Sequence, residues 1–87
     1  MKLFRIYTEN KNMARVVELA SEVFAEGFSI FTGQGYWAGG TEPCLIVEIV
    51  AAQKQEVFVV ALADLIKTEN SQQCVMVTWS DVEVAFV

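Results

Sequence analysis

The sequence predicts an α+β sandwich of order βαββαβ with a short extra strand at its C-terminal end. Three observations carry this. Segments with period-two alternation or β-rich composition recur at residues 2–8, 28–32, 44–51 and 74–79. Two stretches with the spacing of a helical face, 11–26 and 53–69, fall between them. The length of 87 residues leaves room for one core, so residues 1–87 form a single domain.

Residues 2–8 place Phe4 and Ile6 on one strand face and Leu3, Arg5 and Tyr7 on the other. Glu9 and Asn10 break the alternation, and Asn10 is placed to cap a helix. Over 11–26, Met13, Val16, Val17, Ala20, Val23 and Phe24 line one helical face, and Gly27 ends the run. The second strand, 28–32, leads into Gly33-Gln34-Gly35-Tyr36-Trp37-Ala38-Gly39-Gly40, which holds four of the five glycines and one of the two tryptophans. Glycine costs a regular element about 0.5–1 kcal/mol relative to alanine, so this density marks special backbone geometry. Pro43 bounds the segment before the third strand, 44–51, and a long hairpin with its loop near 38–42 follows.

Residues 53–69 include β-branched valines, yet Phe58, Ala61, Leu62, Leu65 and Ile66 keep helical spacing among good helix formers. A helix is expected, with Val59, Val60 and Ala63 off its core face. A turn at 68–71, a fourth strand at 74–79, a bend at Ser80-Asp81 and a final strand at 82–87 complete the order.

Right-handed crossovers turn this order into a ferredoxin-like split βαβ sandwich with strand order 4-1-3-2 and both helices on one face. Cys44 and Cys74 then lie two strand spacings apart, roughly 9–10 Å, beyond the reach of a disulfide. They are expected as two free and mostly buried thiols. The uncovered face would carry Leu3, Tyr7, Ile46, Val50 and one face of the fourth strand, with Arg5 and Glu48 among them. A face this apolar calls for a cover, and a second copy of the same sheet supplies one. Composition agrees: 54% of the residues are apolar, more than so small a sphere hides. A closed homo-oligomer, a trimer, is expected, in which the final strand pairs with a neighbouring subunit's edge.

The net charge is −5, and the six basic residues Lys2, Arg5, Lys11, Arg15, Lys54 and Lys67 form no stripe. Nucleic-acid and anionic-membrane partners both require clustered cations, so neither is expected. No apolar run reaches the roughly 20 residues of a membrane span. The N-terminal segment also lacks a signal peptide's apolar stretch, so the expected location is cytoplasmic. There is no histidine, no nucleophile–base arrangement and no metal-ligand spacing, so neither catalysis, cofactor nor metal is expected.

The candidate site residues fall in two groups. In the hairpin, Gly33 and Gly35 permit close backbone approach, Tyr36 or Trp37 offers a stacking surface and Gln34 a hydrogen-bonding amide. The same residues suit a twisted hairpin whose aromatics plug a neighbouring subunit. Glu48, flanked by Ile46, Val47, Ile49 and Val50, needs a partner, which Arg5 on the adjacent strand provides. That pair serves either as a cross-strand contact or as an anchor for a ligand. Glu18, Glu22 and Glu26 recur every four residues and read as a solvated helix face. Trp79 reads as core or subunit interface.

In element order, length, long hairpin and terminal strand, the chain resembles the PII-like group of small proteins, which includes the PII signalling proteins and the CutA-like proteins. It is also similar to small bacterial and phage proteins with a Gln-Gly-Tyr-Trp segment before a strand bearing a glutamate, here Gln34-Gly35-Tyr36-Trp37 and Glu48. The resemblance implies a trimer with inter-subunit clefts bordered by the hairpin, where small effectors or nucleotides bind. The basic and glycine-rich nucleotide motifs of PII proteins have no counterpart here, so ATP binding and catalytic residues do not transfer. The leading expectation is a non-catalytic oligomeric module for a small-molecule effector or protein partner. The alternatives are a phage-type sponge for a nucleotide messenger and a purely structural assembly protein.

Overall fold

The computed structural model describes residues 1–87. Its elements are β1 (Lys2–Glu9), α1 (Met13–Val23), β2 (Ser29–Trp37), β3 (Gly40–Ala51), α2 (Glu56–Glu69, entered through a 3-10 turn at Gln53–Gln55) and β4 (Met76–Asp81). The strands form one antiparallel sheet in the order β2-β3-β1-β4, which is the order expected of the ferredoxin-like α+β sandwich.

The register explains which side chains reach the core. Phe4 lies opposite Ile49 and Trp79, and Ile6 opposite Val47 and Val77, so these residues share one face. On that face Phe4, Ile6, Leu45, Val47 and Ile49 meet Val16, Leu19 and Ala20 of α1 and Val59, Leu62, Ala63 and Ile66 of α2. These twelve side chains are the whole buried apolar core, none more than 5% exposed. Thr8 is the one buried polar residue. Its hydroxyl pairs with the amide of Gln72, whose Oε1 also accepts from the Glu9 backbone N–H, so the turn after α2 is tied to the end of β1.

Several sequence expectations are corrected. The first helix starts at Asn12, not Asn10: Asn12 adopts φ 54°, ψ 50°, and its carbonyl accepts from the N–H groups of Arg15 and Val16. Asparagine tolerates that left-handed conformation better than most residues. The helix also ends at Val23, because Phe24 leaves helical geometry and packs beside the core. Leu19, not Met13 or Val17, belongs to its buried face.

On α2 the buried stripe is Val59, Leu62, Ala63 and Ile66, while Phe58, Ala61 and Leu65 are exposed. Leu62 and Ile66 are buried as the helical spacing predicts, but Val59 and Ala63 share their side in place of Phe58, Ala61 and Leu65. The small Ala63 lets the helix axis approach the sheet, and the bulkier residues take the flanks.

The hairpin turn is tighter than expected. Strands β2 and β3 run to Trp37 and Gly40, leaving only Ala38 and Gly39 between them. Both have positive φ, 48° and 81°, the two-residue geometry that matches strand twist. For Ala38 that conformation costs roughly 1 kcal/mol. Pro43 lies within β3 instead of bounding it. Its carbonyl accepts from Asn10 on the β1 side, so its nitrogen faces the place where β1 has ended, and no ladder bond is lost.

No strand forms over 82–87, contrary to the expected C-terminal strand. The register sets Asp81 opposite Lys2, where β1 starts, and the Val82 N–H makes one last bond to the Met1 carbonyl. Residues 83–87 project past the sheet with no strand of their own chain beside them. Cys44 and Cys74 are free, but Cys74 is exposed and not buried.

Candidate functional site

Alternate residues of the same strands build the open face. Leu3, Arg5 and Tyr7 of β1 stand beside Val50, Glu48 and Ile46 of β3, with Phe31 of β2 opposite Ile46 and Met76 of β4 opposite Tyr7. No element of the chain covers them: Phe31, Val50 and Met76 are exposed. At the centre the Arg5 Nε donates to Glu48 Oε2 at 3.0 Å. The Glu48 carboxylate, with a smaller contribution from Tyr7, raises the guanidinium above its ordinary range, so Arg5 is a fixed cation.

The hairpin continues this face beyond the helices. Gly35 and Trp37 point to the open side with Phe31 and Gly33, whereas Gln34 and Tyr36 point to the other side of the ribbon. Tyr36 and Trp37 are 78% and 80% exposed, on opposite faces. A Cβ at Gly33 would lie 3.3 Å from Cys44 Sγ, a tight contact that a few tenths of an ångström of movement by the thiol relieves.

Arg5 and Glu48 are thus brought together as expected, but the hairpin residues stand apart from them. Glu48 is opposite Ser29, and Gly35 lies six residues further along β2, roughly 20 Å at strand rise. Within one chain the six candidates do not converge on a shared cavity. A cleft of about 490 Å³ lies elsewhere, between the end of α1 and the end of β3, lined by Val23, Phe24, Gly27, Ile49, Ala51 and Gln55. It contains none of the candidates.

Two residues of the open face escape a reading of the sequence. Phe31 sits next to the glycine run, where alternation is hard to see, and Met76 lies on an edge strand whose register was not fixed. Trp79 is on the helix side, its ring 6.3 Å from that of Phe4 and tilted 46° to it, an edge-of-core contact.

No family model and no curated relative matches the sequence. Solved structures do. CPII, a nitrogen regulatory PII-like protein from Thiomonas intermedia K12 bound to ADP, AMP and bicarbonate, aligns at TM-score 0.69 and 15% identity over 99% of this chain and 93% of its own. A DUF3240 family protein from Shewanella baltica OS155 aligns at TM-score 0.74 and 17% identity with the same coverage. A phage SAM lyase in its apo state aligns at TM-score 0.72 and 16% identity over 91% of this chain and 78% of its own. The fold is therefore that of the PII-like proteins, and the resemblance read from the sequence holds. One of these neighbours is an enzyme by name, so the fold alone does not separate binding from catalysis.

Proposed function

We propose that the chain acts as a non-catalytic homo-oligomer, a trimer, that binds a small-molecule effector in clefts between subunits beside the β2–β3 hairpin. The observation that carries this reading is the uncovered, largely apolar sheet face that continues into a projecting hairpin tipped by Tyr36 and Trp37. Arg5 and Glu48 stand roughly 20 Å from the hairpin residues of the same chain, and in this reading a second subunit supplies the opposite wall of the cleft. Surface area supports the same reading: the chain exposes 5824 Å², where a monomer of its mass exposes about 5,100 Å². In this assembly Trp37 and Gly35 face the neighbour, Tyr36 and Gln34 meet the effector, and the Arg5–Glu48 pair sets the register of the covered faces. No helix is long and apolar enough to cross a membrane, and a cytoplasmic location fits the reading.

The likeness to CPII makes ADP, AMP and bicarbonate the first ligands to try, and the likeness to a phage SAM lyase adds S-adenosylmethionine. That second likeness is also what favours the sponge as a second reading. The acidic balance and the commitment of Arg5 to Glu48 weigh against a heavily phosphorylated messenger. Thermal unfolding against this panel is the test. A ligand at 100 times its Kd stabilises by about 2.7 kcal/mol, a rise of roughly 10–20 °C for a domain of this size. A rise that disappears in Tyr36→Ala supports the effector reading. An oligomer with no shift for any ligand supports a purely structural role.

A further inference from the structure

The segment 82–87 and the outer edge of β2 are two unpaired halves of a strand pair, and they belong to different copies of the chain. β2 bonds only to β3, so its other edge presents free backbone N–H and C=O groups. Natural edges are usually guarded by charge or proline, yet β2, Ser-Ile-Phe-Thr-Gly-Gln-Gly-Tyr-Trp, contains neither. Segment 82–87 alternates Val82, Val84 and Phe86 against Glu83, Ala85 and Val87, a strand pattern with no strand beside it. Phe86 is 93% exposed, an unusual state for a phenylalanine of a folded chain.

The chain cannot join these halves to each other. Asp81 lies level with Lys2, whereas Gly33 lies level with Glu9, seven residues higher and three strands across. At strand rise and spacing the separation is about 27 Å, while Phe86, five residues past Asp81, reaches about 17 Å. Even the near end of β2, at Ser29, consumes that whole reach, so no ladder can form within one chain.

We propose that 82–87 of one subunit adds as a strand to the free edge of β2 in the next, with Val84 and Phe86 on the open side over Gly33 and Gly35. Backbone hydrogen bonds give the attachment, as in other strand-addition contacts. An aromatic ring laid across an edge glycine covers backbone that the glycine leaves bare. The contact is head-to-tail, each subunit donating one strand and accepting one, and the trimer proposed above is its closed form. It rests on the oligomeric part of the proposed function and names the joint that holds it.

The test compares the full chain with one shortened after Asp81 and with Phe86→Ala, using light scattering over a concentration series and backbone hydrogen exchange. The full chain should assemble with slow exchange over 29–37. Both variants should stay folded, need roughly tenfold or more higher concentration to assemble, and exchange faster over 29–37. An assembled full chain whose concentration dependence and 29–37 exchange are unchanged by shortening overturns the inference and leaves the oligomeric reading standing. Protection lost over 76–81 instead assigns the segment to the β4 edge and also overturns it. A full chain that is monomeric at every concentration removes both readings.

Discussion

The helix-covered and open faces of the sheet are made from alternate residues of the same strands, yet they are finished to different degrees. On the covered face, Phe4, Ile6, Leu45, Val47 and Ile49 are fully enclosed by two amphipathic helices. On the open face, Leu3, Tyr7, Ile46, Val50 and Phe31 surround the Arg5–Glu48 pair with nothing above them in the chain. The first face accounts for the folding of the domain. The second has the composition of an interface: apolar, with one charge pair whose geometry fixes orientation more than it adds energy. The difference teaches that the residues that fold the domain and those left open to a partner alternate along a single strand.

The largest effect should come from the covered face. Phe4→Ala removes a fully buried ring and should cost about 3–5 kcal/mol of unfolding free energy; chemical denaturation of the dilute chain measures it. A loss below 1 kcal/mol would show that the core is not where burial places it. Next in size, Val50→Asp should leave the far-ultraviolet circular dichroism unchanged and alter the stability of the isolated chain by about 1 kcal/mol or less. It should nevertheless shift the mass in light scattering from oligomer to monomer. An oligomer that tolerates this charge would mean that the open face is not the buried one.

A double-mutant cycle on Arg5→Met and Glu48→Gln sharpens the comparison further. The double change should cost less than the sum of the single changes, because each single change strands the other charge. Strict additivity would show that the pair acts only as two separate solvated groups. Trp37→Ala should move stability of the monomer by no more than about 0.5 kcal/mol, since the ring rests on nothing in its own chain; denaturation and assembly measured on the same sample separate its two possible roles.

The smallest effect is at the strand end. Lys2 Nζ lies 2.6 Å from Asp81 Oδ1, and this hydrogen bond lowers the carboxyl below its ordinary range. The native state therefore holds this proton less tightly than the unfolded chain, where an aspartate titrates near about 3.9. The contribution is present above that value and fades as pH falls through the lower native one. Wild type and Asp81→Asn should differ slightly in melting temperature at neutral pH and converge in acid, once the pH has fallen through the lowered native titration of Asp81. A gap that persists in acid would assign it to something other than the ion pair.

Much of this was legible in the residues. Strand alternation in β1 and β3 is strong, so their faces, their antiparallel pairing and the Arg5–Glu48 match at the sheet centre followed from period and topology. The resemblance to PII-like proteins rested on the same order of elements. The hairpin was visible as a glycine cluster, but not that Gln34 and Tyr36 face away from Gly35 and Trp37. That follows only once β2 is seen to run through the glycines to Trp37, so that successive residues alternate between the two faces.

The division between what sequence and tertiary structure decide follows from the range of the forces involved. Periodicity and composition act between near neighbours, so the sequence by itself determined the element order, the sheet order and the excess of apolar surface. Which residues of α2 join Leu62 and Ile66 in the core was decided only by packing, because Phe58, Val59, Ala61 and Ala63 are all apolar. Only the assembled sheet showed that 82–87 has no partner at hand, because strand pairing depends on what lies across the fold and not on what lies next along the chain.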